Sequence, residues 1–147
     1  MVSVLLALLL VGAIEFGLLF GDKIQLAGGA AAGARFAAQH PLLSTPAAAA
    51  ASNTIQGQVR GAGGTSALPS TDTAIFIEYL NTAGTVCGVS TAGAFSGRGS
   101  TQSQCVVDGN LVRVTVTNTY PAFTALFAGR FSPNVTLSAS AVVVMIG

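Results

Sequence analysis

Few side chains in this sequence are equipped for chemistry, and their spacing decides what each can do. The single histidine, His40, stands directly before Pro41. One imidazole does not complete a metal site, and no Cys-x-x-Cys or Cys-x-x-Cys-His pattern offers zinc or haem ligands. Asp72 and Glu78 lie near one strand-like stretch, where a solvated strand face accounts for them more simply than an acid–base pair. G-A-G-G-T-S at residues 61–66 has the glycines of a phosphate-cradling loop. It lacks the lysine that reaches the phosphates and follows no strand, so it is expected to be a linker. Asn134-Val135-Thr136 matches a glycosylation sequon, a triplet that also arises by chance. An enzyme reading has no residues to rest on, and no cofactor or metal is expected.

Two groups remain. Cys87 and Cys105 flank one Gly/Ser/Thr-rich stretch in the C-terminal half. Behind a membrane-type N-terminus, an extracellular disulfide is their natural reading; the alternative is two unpaired small buried residues. A bridge would close a loop of about 18 residues, contributing roughly 3 kcal/mol in the chain-entropy model. Glu15 is the one ionisable side chain in an otherwise apolar run over residues 2–20. A charge at the centre of a membrane helix costs ~2.5–3.5 kcal/mol on the most lenient scale, so it needs a reason to be there. Three reasons compete. Glu15 pairs with a neighbouring subunit's Met1 amine or Lys23; it is protonated and bonded to a backbone carbonyl; or it sits near the membrane surface, two turns from Asp22 and Lys23.

The composition agrees with a chain that is covered by something else. Of 147 residues, 51% are hydrophobic and 7% charged, against roughly 25% charged in ordinary soluble domains. Mean hydropathy is +0.68. Much of the surface should therefore be buried by lipid or by copies of the chain. There are 18 glycines and no tryptophan, which favours close backbone approach over a large aromatic core. Net charge is +1 with no basic run, so the electrostatic footprint of a nucleic-acid binder is missing.

The elements that would position these residues follow from the pattern. Residues 2–20 would span about 28 Å as a helix, close to the ~30 Å hydrocarbon core. No basic n-region precedes the run, which argues against a cleavable secretory signal. The helix should continue to Gln39 and end at Pro41. It contains six glycines, each costing roughly 0.5–1 kcal/mol against alanine in a helix interior. Ala13, Gly17, Gly21, Gly29, Gly33 and Ala37 fall on one row of four-residue steps, interrupted by Gln25. Such a ridge suits close helix–helix contact with neighbouring subunits, unless the row is chance in an Ala/Gly-rich segment. A second helix is expected from Thr45 as N-cap and Pro46 at the first position, through Arg60, stopping at Gly61. After a Gly/Ser/Pro-rich connection the period becomes two. Strands are expected over residues 74–80 and 135–145. A hairpin is expected from residues 105–107 through Asp108-Gly109 to residues 111–119. Between them, residues 81–104 read as an exposed loop.

Particular stretches resemble a known family. Residues 12–17 read G-A-I-E-F-G and residues 30–38 read A-A-A-G-A-R-F-A-A. More loosely, a Val/Thr strand ends in Tyr120-Pro121 and a last strand opens Thr-Leu-Ser-Ala-Ser-Ala at residues 136–141. About a third of the chain thus resembles the TadE-like family of pilins and pseudopilins, the type IV-related proteins of tight-adherence systems. Glu15 matches the mid-helix glutamate of that family. Ala31 and Ala32 stand where the family carries charged residues, making this helix more apolar. The family's basic leader, peptidase site and glutamate near the processed N-terminus are not found in these residues. The expectation is that Met1 follows processing, or that the chain was shortened or reconstructed.

The resulting expectation is an α+β fold: a long N-terminal apolar helix (1–40), a short second helix and linker (41–70), and an extracellular antiparallel β domain (71–147). The resemblance implies a pilus subunit held in the inner membrane, handled by a prepilin peptidase and assembly machinery, and then polymerised with copies of itself into a surface filament. A monomeric membrane-anchored binding module and a minor pseudopilin that primes assembly are the competing readings.

Overall fold

The computed structural model describes residues 2–41, 53–63, 75–91, 94–121 and 134–146. The fold is α+β, with helices α1 (Val2–Gln39), α2 (Ile55–Gly63) and α3 (Gln102–Cys105), and strands β1 (Ile75–Leu80), β2 (Val86–Thr91), β3 (Ala94–Gly97), β4 (Leu111–Pro121) and β5 (Asn134–Val144). The strands form one antiparallel sheet in the order β3-β2-β1-β4-β5.

α1 has 38 residues, about 57 Å of helix. It holds no proline until Pro41, and its last turn is closed by the His40 amide donating to the Phe36 carbonyl at 2.8 Å. α2 begins later than the sequence suggests. Thr54 is its N-cap, its Oγ1 accepting from the Gly57 amide at 3.1 Å. The backbone at Asn53 and Thr54 is not helical, so an unbroken helix to Arg60 is corrected, and the Thr45–Pro46 start lies outside the described residues. At its other end α2 passes Gly61 and runs to Gly63.

The period-two pattern holds in the sheet. Val112, Val114 and Val116 are fully buried beneath α1, while Arg113, Thr115 and Thr117 face outward. In β5, Ala139 is buried and Val135, Leu137, Ala141 and Val143 are half-buried, while the even positions from Thr136 to Val144 are exposed. Ile75, Ile77 and Tyr79 complete the sheet's share of the core. Leu26, Ala30, Ala34 and Ala37 from α1, with Ile55 and Val59 from α2, close over it.

Two expectations fail in the middle of the chain. Residues 81–104 are not simply a loop: β2, β3 and the start of α3 lie there. The expected hairpin strand at residues 105–107 is absent. Cys105 ends α3, whose Thr101 and Gln104 form a reciprocal capping box, and Asp108-Gly109 turns the chain from that helix into β4. Gly109 has φ +85°, a left-handed conformation that favours glycine.

β5 is an edge strand of 11 residues, and α1 runs beside it. The Met145 amide donates to the Asn110 carbonyl on the β4 side. In an antiparallel ladder a residue's N–H and C=O point the same way, and successive residues alternate. The even residues of β5 therefore turn toward the open edge. There α1 meets them: Lys23 Nζ donates to the Ser138 carbonyl, and the Ile146 amide donates to the Ala38 carbonyl at 3.0 Å. α1 thus lies parallel to β5 and covers an edge that would otherwise invite pairing.

Candidate functional site

The ridge of small residues on α1 is divided by the structure. Gly29 is buried, Ala37 has no exposed surface, and a Cβ on Gly33 would stand 2.3 Å from Val59 Cγ2. Gly33 thus admits Val59 of α2 and lies against Val114 of the sheet, so at these three positions the ridge is already covered within the chain. Among the described residues nothing lies within 4 Å of a Cβ position on Gly17 or Gly21, and Ala13 is exposed. The ridge is open only in its N-terminal part.

That open part belongs to a helix that is apolar on every side. Val2 is 81% exposed and Phe16 72%, and Leu9, Ile14, Phe20 and Ile24 are each more than half exposed. A helix with no polar face is stable only when something covers it. Among the described residues no helix is long and apolar enough to cross a membrane. Val4, Leu5 and Leu8 of the apolar run are not among the described side chains.

One stripe of this segment is partly covered. Glu15, Leu19 and Asp22 are half-buried and lie at helical spacing from buried Leu26. Glu15 is engaged within its own chain, and Lys23 is committed to Ser138.

The cysteines form the expected disulfide, Cys87 to Cys105, with Cα atoms 5.7 Å apart. It ties β2 to α3 beside the Tyr79–Phe95 ring pair, whose centroids are 5.8 Å apart. Gly88 is required there, because a Cβ would stand 2.4 Å from the Phe95 ring. The Tyr79 hydroxyl donates to the Pro41 carbonyl just past α1. Burial pushes its pKa up to about 12, with a hydrogen bond to Ser90 acting the other way.

The remaining candidates stay apart. Glu78 is bound by Arg113 across β1 and β4, Nε to Oε2 at 2.5 Å, and Asp72 lies outside the described residues. His40 is exposed against the Phe36 ring at 4.9 Å. The first three residues of G-A-G-G-T-S, Gly61, Ala62 and Gly63, are not a loop but the end of α2; residues 64–66 lie outside the described residues. Asn134 opens β5 opposite Pro121. Among the described residues no group of three His, Cys, Asp or Glu side chains is placed to hold a metal.

What sequence reasoning missed is the division of α1. Its signal was present in Ile55 and Val59, one helical turn apart on α2 and facing Gly33. No family model, curated protein or solved structure matches the chain.

Proposed function

We propose that this chain is the structural subunit of a type IV-like pilus of the tight-adherence kind, not an enzyme. The subunit is held in the inner membrane by the N-terminal half of α1 until assembly machinery extracts it. It then polymerises through that half into an extracellular filament used for adhesion or surface colonisation. The observation that carries this reading is the contrast within one continuous helix. Its C-terminal half closes the core of a small domain, and its N-terminal half exposes large apolar side chains, among them Val2, Leu9, Ile14, Phe16 and Phe20. Exposed apolar surface on this scale marks a membrane or protein interface. Lipid and copies of the same helix are covers of the right chemistry, used in turn. The disulfide suits an oxidising extracellular compartment, and the resemblance of residues 12–17 and 30–38 to TadE-like pilins points the same way.

The test is electron microscopy of filaments sheared from cells expressing the chain, with mass spectrometry of their main band. The expected result is thin filaments composed mainly of this chain. A chain found only in the membrane, with no filaments, would favour an anchored binding module; filaments in which it is a trace component would favour a minor pseudopilin.

A further inference from the structure

We propose that β3 and α3 form a redox-conditional flap. They order only after a disulfide donor has oxidised Cys87 and Cys105, on a core of α1, α2, β1, β4 and β5 that folds without the bridge.

The two cysteines stand 18 residues apart in sequence. They enclose most of β2, all of β3, and α3 up to its last residue, Cys105 itself. Little in that loop can hold itself together. Residues 88–104 contain two large apolar side chains, Val89 and Phe95, and both are only half-buried. From Ala94 to Gln104 every residue but Phe95 and Ser100 is exposed. β3 and α3 have four residues each, too few for a strand or a helix to persist without tertiary support. Of the largest fully buried side chains among the described residues, this span supplies Cys105 alone. The others, Leu26, Ile55, Ile77 and Val114 among them, belong to elements outside the loop and pack against one another.

The flap's described fastenings gather at the bridge. The Arg98 amide donates to the Cys87 carbonyl at 2.8 Å. Asn110 Nδ2 donates to the Cys105 carbonyl at 2.9 Å. The Phe95 ring lies over Gly88 and beside Tyr79. Without the bridge, nothing covalent keeps α3 against β2.

Burial sets the order of events. Cys105 has no exposed surface and Cys87 is 9% exposed, so a donor disulfide cannot reach either sulfur in the closed form. Oxidation therefore precedes closure. One cysteine thiolate attacks the donor's disulfide and expels one donor sulfur as a thiolate. The second cysteine attacks the chain's own sulfur in that mixed disulfide and expels the other donor sulfur. The bridge forms, the donor's S–S bond breaks, the chain gives up two electrons, and the two thiol protons end on the donor. Closure then protects the product, because a reductant reaches it only through local opening.

The full chain refolded in detergent with a phosphine reductant isolates the reduced form, and amide hydrogen exchange compares it with the oxidised form. The Arg98 and Val106 amides bond to the Cys87 and Gln102 carbonyls. They should exchange about 100-fold faster in the reduced chain, the ratio that closing an 18-residue loop implies in the chain-entropy model. Amides of the β4–β5 ladder should keep their protection. Glutathione disulfide added to the reduced, folded chain should oxidise both cysteines and restore slow exchange. A Cys87→Ala, Cys105→Ala double variant should behave as the reduced chain does. Loss of protection in the β4–β5 ladder would overturn the inference, since the bridge would then hold the whole domain. Slow exchange at Arg98 and Val106 in the reduced chain or in the double variant would overturn it as well. So would a reduced, folded chain that glutathione disulfide oxidises only after denaturation. These readouts do not involve filaments, so their failure leaves the pilus reading standing.

Discussion

The two halves of α1 are built from similar small and apolar residues and meet opposite fates. From Leu26 onward, Ala30, Gly33, Ala34 and Ala37 lie against α2 and the sheet. Before Lys23, Gly12, Gly17 and Gly21 have open space around them among the described residues, and Ile14, Phe16, Leu18 and Phe20 are exposed. Small residues permit close approach, but they do not say by what. In the C-terminal half the partner is the chain itself; in the N-terminal half it has to come from outside. The boundary falls near Asp22 and Lys23, where Lys23 reaches the Ser138 carbonyl of β5.

The sharpest way to break this contrast is to cut the same side chain from each half. Leu26 is fully buried, so Leu26→Ala should cost about 2–5 kcal/mol of domain stability. Leu9 is 66% exposed, so Leu9→Ala should change it by less than about 0.5 kcal/mol. Denaturant unfolding of the full chain in detergent, followed by near-ultraviolet circular dichroism, reads both. Equal costs would mean that the N-terminal half is folded into the domain after all.

A second test loosens only the sealed half. Tyr79 fastens the sheet to Pro41, just past the end of α1. Its hydroxyl holds its proton to about pH 12 in the folded chain, whereas an unfolded tyrosine loses it near pH ~10. The stability from this raised pKa is complete below about pH 10 and is lost as pH rises toward about 12. The loss should be about 2–3 kcal/mol, from two units at ~1.4 kcal/mol each. Tyr79→Phe should abolish this part of the alkaline slope, at a cost near 1 kcal/mol for the hydrogen bond at neutral pH. An unchanged slope in that variant would show that another group sets it.

Glycines give a test of sign. Gly33→Ala gains helix propensity but drives a Cβ into Val59, so it should destabilise the domain by about 1–3 kcal/mol. Gly17→Ala meets nothing and should stiffen the helix by roughly 0.5–1 kcal/mol. Filament yield then separates the halves again. Gly17→Leu should leave the domain folded and stop assembly, if the open part of the ridge is where copies meet.

Much of this was legible in the sequence because it rests on repetition. Alternation in β4 and β5 assigns their faces residue by residue, the apolar run and Pro41 bound α1, and compartment logic pairs Cys87 with Cys105. β2 and β3 were hidden because their residues are small: Gly88 and Gly97 are there to admit Phe95 and the Ser100 backbone, and glycine reads as loop until the neighbour is known. α3 was readable in principle, since Thr101 and Gln104 have the capping-box spacing, but a strand-like Cys-Val-Val outweighed it. The fate of Gly33 depended on Val59, 26 positions later, and only packing relates the two.

The smallest expected effect is a control on the sheet's outer face. Glu78 and Arg113 sit opposite each other on β1 and β4 and are joined at 2.5 Å, with side chains 16% and 34% exposed. They face away from α1, so neither half of the helix should sense them. An opposite-charge cross-strand pair contributes about 0.2–1 kcal/mol, and partial exposure places this one inside the range of surface pairs. Glu78→Gln keeps the shape and removes the charge, so it should cost less than about 1 kcal/mol and less still at high salt, where screening weakens the pair. A double-mutant cycle with Arg113→Met isolates the coupling from the loss of the arginine's packing. Assembly should be unchanged in both single variants. A filament defect in Glu78→Gln with the domain still folded would mean that the outer face also meets neighbouring subunits, and the division of labour would then run across the sheet as well as along α1.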